Sequence, residues 1–244
     1  MPYLTNKNSI IELIRSHPGS VRRLWIEHGY ETVSDEVIKE AKKQGISFKV
    51  LPKDIFCKKF SDIKAHICLE RDEISYTDPD EFLHNLESIK NPFLCAFDGI
   101  FDPQNLGNIL RSAACFGADA LIIPKDRSCG ITQAVASISR GGIEHVKIIR
   151  VVNLARYIDT LKKTGIFCYG LDEKGAEPIW KTDLRGAVCL VFGSEEGLRR
   201  LTKEKCDGII KIPTEENFSS LNVATCFAVS ACEVKRQRAV AQII

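Results

Sequence analysis

Three stretches of the sequence place polar side chains where a ligand could meet them. Near the carboxyl end, Ser220 and Asn222 flank Leu221 at the start of a long apolar-periodic run. Ser219, Ser220 or Asn222 can each cap the helix predicted there, and the first turn of a helix leaves backbone N–H groups free for an anionic or polar ligand. An ordinary capped core helix is the simpler explanation of this stretch taken alone.

The second stretch begins with Asp102-Pro103, which is a turn and helix-start signal. Asn105 falls in the first turns of the predicted helix, and Gly107 allows another backbone to approach closely. Arg111 follows at the edge of the apolar stripe, where an arginine usually makes only a surface ion pair. The functional alternative is a guanidinium that binds a phosphate.

The third stretch, Gly193-Ser194-Glu195-Glu196-Gly197, is an acidic turn bracketed by glycines after a buried apolar strand. In open α/β sheets, ligands bind at the carboxyl ends of the strands. Such turns are common, so this signal is weak by itself. The chain has neither the Gly-x-Gly-x-x-Gly dinucleotide fingerprint nor a Walker lysine loop.

The elements that must position these residues alternate between strand and helix in two blocks. Residues 1–75 predict a small α/β domain, 76–91 a polar linker, and 92–244 a larger domain. Continuous apolar strands separated by helices predict a mostly parallel sheet covered on both faces. The predicted strands are 21–27, 46–51, 65–70, 92–97, 120–123, 146–151, 166–171, 187–192 and 208–212. The predicted helices are 8–16, 34–45, 52–60, 80–89, 105–116, 132–139, 154–163, a short one after 197, and the final one.

Composition narrows the class of protein. The 244 residues are 44% hydrophobic with a formal net charge of +2, so global charge does not indicate nucleic-acid binding, although clusters such as Arg22-Arg23 could form a basic face. Ten cysteines, without a Cys-x-x-Cys pair or zinc-spaced histidines, argue against a metal site or disulfide framework. We expect a cytoplasmic protein, since no signal pattern and no apolar run of membrane-spanning length is present.

Together the three stretches resemble the motifs of the SpoU/TrmH family of SPOUT RNA ribose 2′-O-methyltransferases. The resemblance is strongest to two-domain members that modify guanosine in large-subunit (23S-type) rRNA, and it covers essentially the whole chain. The matching residues are Asp102-Pro103-x-Asn105-x-Gly107-x-Ile109-x-Arg111 (first motif), Gly193-x-Glu195 (second), Ser220-Leu221-Asn222-Val223 with Arg236-Gln237-Arg238 (third), and Val21-Arg22-Arg23-Leu24-Trp25 (N-terminal domain).

The resemblance implies a fold and a cofactor. Residues 1–75 are then an L30e-like α/β domain that binds RNA, and 92–244 a SPOUT domain whose parallel sheet ends in a C-terminal trefoil knot. The knot is expected to bind S-adenosylmethionine, without a metal ion, and to form a homodimer. The implied cofactor contacts are Leu171, Gly193, Ile212 and Leu221.

The implied reaction transfers a methyl group from a sulfonium to a ribose hydroxyl, a poor nucleophile unless it is deprotonated or well positioned. The family assigns the general-base role to the first-motif arginine, here Arg111. Because the pKa of arginine is about 12.5 or higher, we expect Arg111 instead to orient the substrate phosphate. The implied positioning residues are Asn105, Glu195, Ser220 and Asn222, and the expected RNA contacts are Arg22, Arg23 and Arg111.

Two departures from the family pattern leave alternatives open. Glu196-Gly197 stands where relatives have Gly-x-Gly, so either Glu195 or Glu196 could take the second-motif role, with spacing favouring Glu195. His66-Ile67-Cys68 replaces a common His-Gln-Gly, and His66 could be a packed strand histidine. The sequence predicts an rRNA methyltransferase; the alternatives are a tRNA ribose methyltransferase and a non-catalytic RNA-binding factor for ribosome assembly.

Overall fold

The computed structural model describes residues 3–215 and 221–241. The strands are β1 (Tyr3–Leu4), β2 (Val21–Glu27), β3 (Phe48–Leu51), β4 (Ile67–Arg71), β5 (Phe93–Phe97), β6 (Ala120–Pro124), β7 (Lys147–Val151), β8 (Phe167–Leu171), β9 (Glu177–Pro178), β10 (Val188–Phe192) and β11 (Gly208–Lys211). The helices are α1 (Lys7–Ser16), α2 (Asp35–Lys43), α3 (Lys53–Lys59), α4 (Pro79–Leu86), α5 (Pro103–Phe116), α6 (Gln133–Ser139), α7 (Leu154–Lys163), α8 (Arg200–Lys205) and α9 (Val223–Val240).

These elements form two compact units. Unit 1 extends to Ile74 and also includes Ile131–His145; unit 2 comprises Ser75–Gly130 and the chain from Val146 on. The segment 131–145, which the sequence analysis places in the larger domain, is thus grouped with unit 1. The predicted linker 76–91 contains α4, whose Phe82 and Leu86 are buried in the core of unit 2. Because these side chains are buried, α4 is packed against the core of unit 2.

Unit 1 is built on a four-stranded mixed sheet of order β1-β4-β2-β3. Strands β2 and β3 are parallel, while β4 runs antiparallel to both β1 and β2. Trp25, Phe56 and Phe60 form an apolar cluster beneath this sheet. The buried Arg71 side chain donates a hydrogen bond to Glu144, which ties the segment 131–145 to the strands of the unit.

Unit 2 contains a seven-stranded sheet of order β7-β6-β5-β10-β8-β11-β9, in which every described pairing is parallel. The predicted α/β fold with a parallel sheet is confirmed. Its central strands are apolar throughout and fully buried, as expected for strands covered on both faces. The short edge strand β9 was not predicted, because two residues carry no periodic pattern.

The two faces of this sheet are covered by different helices. Alternate residues of each strand point to opposite faces. Ala96 and Val191 join the cluster that includes buried residues of α4 and α7. Phe97 and Phe192 instead stack at 5.1 Å between ring centroids, and Phe227 of α9 lies edge-on to both. The start of α9 is therefore fixed beneath the carboxyl ends of β5 and β10.

The far end of α9 is fixed by the closing Arg-Gln-Arg sequence. The side-chain amide of Gln237 donates to the Thr182 carbonyl at 3.0 Å and accepts from the Leu184 N–H at 2.9 Å. Arg238 donates to the Gly186 carbonyl at 2.8 Å and lies over the Phe93 ring. Gln237 and Arg238 are thus structural contacts, since both bind the chain that leads into the central strands.

Candidate active site

A cavity of about 490 Å³ lies at the carboxyl ends of β8 and β10 in unit 2. Leu171 ends β8, Gly193 follows β10, and Ile212 follows β11; all three line the cavity, as does Leu221 at the start of α9. This is the edge at which open parallel sheets bind ligands. The structure therefore brings the four residues predicted as cofactor contacts around one cavity.

Gly193 is required by the fold of its own loop. A Cβ at this position would lie 2.2 Å from the Gly197 carbonyl carbon and 2.4 Å from the Leu198 nitrogen. The loop returns on itself because Gly197, at φ 87°, donates its N–H to the Ser194 carbonyl at 2.9 Å. The glycine bracket thus shapes the turn that presents Glu195 and Glu196 to the cavity.

An ion pair between a buried carboxylate and a partly exposed guanidinium attaches this turn to the neighbouring strand. Asp98, directly after β5, accepts from the backbone N–H of Arg199 at 3.0 Å and from its Nε at 2.7 Å, and also from its Nη2. The Asp98 side chain is almost fully buried, and its hydrogen bonds raise the pKa of the Arg199 guanidinium. Because Arg199 follows the glycine-bracketed turn, the pair fixes the end of that turn to the sheet.

The first and third motifs meet through a pair of asparagines. Asn222 caps α9 by accepting from the Ala224 N–H at 2.9 Å, and its Nδ2 donates to Oδ1 of Asn105 at 3.0 Å. Asn105 lies in the first turn of α5, which Asp102 caps at 2.9 and 3.3 Å. Both asparagines line the cavity. Within the described part of the chain, no hydrogen bond engages Asn105 Nδ2 or the second N–H of the Asn222 amide.

The family model described as the SpoU rRNA Methylase family matches residues 92–232, more than half of the chain. The chain belongs to this family. Its members are S-adenosylmethionine-dependent RNA 2′-O-methyltransferases, and this is the activity of the protein.

Curated relatives cover nearly the whole chain. YacO of Bacillus subtilis, described as a TrmH family tRNA/rRNA methyltransferase, is 35% identical over 97% of this chain and 96% of its own. The 23S rRNA (guanosine-2′-O-)-methyltransferase RlmB of Coxiella burnetii is 33% identical over 95% and 94%. Among solved structures, the SpoU methyltransferase AviRb of Streptomyces viridochromogenes, in complex with S-adenosylmethionine, superposes with a TM-score of 0.78 at 21% identity over 98% and 90%.

The cavity suits the family's cofactor in size and in side-chain chemistry. Its volume falls in the usual range of about 300–1,000 Å³ for small-molecule sites. Leu171, Phe192 and Ile212 offer apolar surface to an adenine ring. Carboxylates at Glu173 and Glu196 face the same space and match a ligand that carries sulfonium and ammonium charges. S-adenosylmethionine combines these apolar and cationic groups.

An ion pair on the cavity wall was missed by the sequence analysis. Lys203 of α8 donates to Asp172 at 2.9 Å, and both residues line the cavity. Burial opposes ionisation of Asp172, but the hydrogen bonds from Lys203 and from the Lys174 N–H outweigh it, so the pKa of this carboxyl is lowered. No sequence motif indicates Lys203, because its ion pair with Asp172 depends on how α8 packs against the sheet.

Cys226 is a second cavity residue that the sequence analysis missed. It follows Asn222 by one helical turn, a spacing that could have revealed it because residues four apart share a helix face. Burial raises the pKa of its thiol to about 11, so the thiol is protonated at neutral pH. The Cys226 side chain is therefore a small, apolar part of the cavity lining.

Arg111 and Ser220 differ from the other predicted catalytic residues in their placement. Arg111 is exposed on α5 and is not part of the cavity lining. Ser220 lies outside the described residues. Glu195 lines the cavity, as its predicted role requires, but so does Glu196. The geometry therefore places Asn105, Glu195 and Asn222 at the cavity, whereas Arg111 lies outside its lining, on the same helix as Asn105.

The predicted RNA contacts of unit 1 lie at the start of β2. Arg22 and Arg23 are exposed there, and Arg22 pairs with Asp72. His66 is exposed, donates to or accepts from Glu27 at 2.8 Å, and stacks on the Tyr30 ring at 3.6 Å. Its place at the start of β4 agrees with a strand-end histidine packed against neighbours.

Within residues 3–215 and 221–241, no group of three or more His, Cys, Asp or Glu side chains is arranged to bind a metal ion. In the same part of the chain no helix has the length and apolarity needed to cross a membrane.

Proposed function

We propose that this methyltransferase acts on the 2′-hydroxyl of a guanosine in large-subunit, 23S-type rRNA. The observation that carries the proposal is the 33% identity to RlmB of Coxiella burnetii, which extends over 95% of this chain and therefore over both units. The cavity at the sheet edge supplies the cofactor site that such an activity needs.

The proposed chemistry assigns a role to each residue at the cavity. S-adenosylmethionine, when bound, supplies an electrophilic methyl group on its sulfonium sulfur. Asn105 and Asn222, already paired at 3.0 Å, would direct their remaining N–H groups at the ribose and so position its hydroxyl for the reaction. Glu195 accepts a hydrogen bond from the nucleotide, and Ser220, two positions before Asn222 in the sequence, is the remaining residue that we assign to substrate positioning. The cofactor contacts are Leu171, Gly193, Ile212 and Leu221.

Arg111 acts in this proposal on the substrate phosphate. Its guanidinium is exposed, and among the described residues no carboxylate forms an ion pair with it. A planar guanidinium can donate two parallel hydrogen bonds to one phosphate. The phosphate is thereby oriented together with its ribose, and the proton that the 2′-hydroxyl loses on methylation passes to solvent.

Unit 1 is the proposed RNA-binding part of the protein. We assign residues 1–75 to an L30e-like substrate-binding domain, with 131–145 grouped in the same unit, and the rest of 92–244 to the catalytic domain, in whose core α4 of the connection 76–91 is packed. Arg22 and Arg23, exposed at the start of β2, are its proposed phosphate contacts. The protein acts in the cytoplasm, where its rRNA substrate would be met.

A trefoil knot is part of the proposed fold of unit 2. Strand β11 lies between β8 and β9, which are consecutive along the chain, so a later segment separates two earlier ones. The loop that joins β8 to β9 lies so close to β11 that a Cβ on Gly175 would be 2.4 Å from the Ile210 carbonyl carbon. Chains rarely thread loops in this way, and the arrangement supports the knot that the family resemblance implies.

A homodimer through unit 2 is proposed from the outer surface of α9. This helix packs against α5, yet it leaves Val229 and Val240 exposed at 43% and 45% of their surface. Burial of such apolar positions against a second copy would be favourable. Arg111, on the adjoining helix α5, would then lie beside the interface.

A tRNA ribose methyltransferase is the second candidate function. The name of the Bacillus subtilis relative, at 35% identity over nearly the full chain, includes both tRNA and rRNA. The substrate proposal is therefore tested with both kinds of RNA in parallel.

The test incubates the purified protein and tritium-labelled S-adenosylmethionine with a 23S rRNA transcript or with bulk tRNA. We expect label in the 23S transcript, recovered as 2′-O-methylguanosine after digestion to nucleosides. Label in tRNA alone would replace the proposal with the second candidate. Label in a base, or in a nucleoside other than guanosine, would contradict the proposed target.

A further inference from the structure

Phe101 is an exposed aromatic residue in the loop between β5 and α5. The loop carries Asp98 and the cap of the helix that presents Asn105. The side chain of Phe101 is 65% exposed, whereas its neighbour Ile100 is 2% exposed. Single exposed apolar residues are common on protein surfaces. Phe101 differs from such residues because its backbone is held by hydrogen bonds on both sides and because it lies near the cavity.

The backbone beside Phe101 is tied on both sides. The Ile100 N–H donates to the Arg127 carbonyl at 3.1 Å, and the Ile100 carbonyl accepts from the Cys129 N–H at 2.7 Å. Asp102 caps α5 immediately afterwards. With Ile100 buried and Asp102 engaged, the ring of Phe101 is directed outward and cannot join the core by a small rotation of the chain.

The ring lies next to the glycine-bracketed turn of the cavity. A Cβ placed on Gly99 would be 3.2 Å from Cβ of Ser194 and 3.5 Å from Cε2 of Phe101, so both side chains border the same point. Ser194 lines the cavity. An aromatic face is therefore exposed a few ångströms from the wall of the proposed reaction site.

The surroundings of the ring favour a polyanion with flat bases. The loop after β6 is paired with the Phe101 loop through Ile100 and carries the exposed cations Lys125 and Arg127, with the exposed Asp126 between them. Aromatic rings stack on unpaired nucleobases, and nearby cations bind the adjoining phosphates. A protein partner with an apolar surface fits this site less well, because Phe101 is a single apolar ring surrounded by charged side chains.

We propose that Phe101 is a stacking platform for an unpaired nucleobase of the RNA substrate, beside the ribose that is methylated. The inference rests on the proposed function, because it takes RNA as the ligand of the cavity edge. It adds a substrate contact that is absent from the family motifs quoted above. Stacking of this kind would fix the nucleotide before its hydroxyl reaches the cofactor.

The chain offers a matched control in Phe167. This residue is 58% exposed, but it begins β8 and so lies at the amino edge of the same sheet, away from the cavity. The variants are F101A, F101W, F167A and F167W. Methyl transfer to the 23S transcript gives kcat and KM for RNA, and calorimetry gives the affinity for S-adenosylmethionine.

We expect F101A to raise the KM for RNA about tenfold, with unchanged cofactor affinity and thermal midpoint. F101W restores RNA affinity, and F167A behaves as the wild type. A wild-type KM in F101A, loss of cofactor binding, or a change in oligomeric state would overturn the proposal, since each assigns Phe101 another role.

A spectroscopic measurement separates failure of this proposal from failure of the substrate assignment. The tryptophan of F101W is quenched when an RNA base stacks on it, whether or not methyl transfer occurs. We expect quenching by the 23S transcript or by bulk tRNA in F101W, and none beyond the wild-type change in F167W. If neither RNA quenches F101W, the platform is refuted even where the wild type methylates rRNA.

Discussion

The side chains of Asn222 and Asn105 are joined by a hydrogen bond of 3.0 Å across 117 positions of the sequence. Asn222 also caps α9, so its Oδ1 is engaged by the Ala224 N–H and its amide can point only toward Asn105. The structure confirms the helix cap, and the position of Asn222 at the cavity agrees with its proposed role in the reaction, which stays a prediction. One side chain caps the start of a helix and also holds Asn105 at the cavity.

Asn222 caps α9 and has a proposed role in the reaction, so its substitution should lower stability and activity by separate routes. N222A should lower the free energy of unfolding by about 1 kcal/mol through the lost cap and should reduce methyl transfer at least tenfold. The control is N153A, because Asn153 also caps a helix, α7, through its side-chain oxygen, which accepts from the Arg156 N–H at 3.0 Å. N153A should show the stability loss alone. Equal activity in the two variants, measured at saturating RNA, would contradict the catalytic role.

Substitution of Gly193 should lower both the stability of the protein and its affinity for S-adenosylmethionine. In G193A the added Cβ meets the backbone of Gly197 and Leu198, so the turn must move at a cost of about 1–3 kcal/mol. The moved turn displaces Glu195, and we therefore expect a lower affinity for S-adenosylmethionine, which calorimetry measures. G186A is the control, since a Cβ there has no neighbour within 4 Å. A wild-type thermal midpoint and cofactor affinity in G193A would disprove the steric argument.

The ion pair of Asp98 with Arg199 predicts strong destabilisation when one partner is removed. R199A removes the two guanidinium donors and leaves the buried Asp98 carboxylate with the backbone N–H of residue 199 as its remaining donor, and an under-satisfied buried acceptor costs about 1–3 kcal/mol. R200A removes the neighbouring exposed pair with Glu204 and should cost less than about 1 kcal/mol. Urea denaturation of both variants measures the contrast. Similar midpoints would show that Arg199 is not structurally required.

Buried thiols predict a loss of stability at alkaline pH. Burial raises the pKa of Cys226 to about 11 and those of Cys68 and Cys206 to about 12, from an ordinary value of 9.0. Above pH 9 the unfolded chain releases these protons while the folded chain retains them, so the free energy of unfolding falls as pH rises. Urea midpoints between pH 9 and 10.5 measure this slope. C226A should reduce the slope, and an unchanged slope would exclude Cys226 as a source.

Local signals allowed several elements to be predicted from the sequence. Asp102-Pro103 signalled the start of α5, and in the structure Asp102 caps the helix, which begins at Pro103 and ends before a left-handed Gly117 at φ 73°. Apolar runs likewise gave the central strands, since a buried parallel strand needs no partner information to be recognised. The motif resemblance then indicated which strand ends belong to one site.

Long-range pairing could not be predicted in the same way. Asp98 and Arg199 are 101 positions apart, and Lys203 reaches Asp172 only because α8 lies across the strand ends. The packing of α4 through Phe82 was hidden by the polar residues around it, which made the segment resemble a linker. These features depend on tertiary contacts, for which a single sequence has no periodic signal.

The exposed guanidinium of Arg111 gives the sharpest prediction about the reaction. Arg111 lies on α5 outside the cavity lining, so R111K should leave the thermal midpoint and S-adenosylmethionine affinity unchanged. Lysine retains the charge but lacks the two parallel donors that orient a phosphate, and we expect methyl transfer to fall about a hundredfold. R156K on α7, an exposed arginine on the opposite face of the sheet, should behave as the wild type. Full activity of R111K at unchanged RNA affinity would show that charge alone suffices, because a bidentate contact cannot be made by an ammonium group.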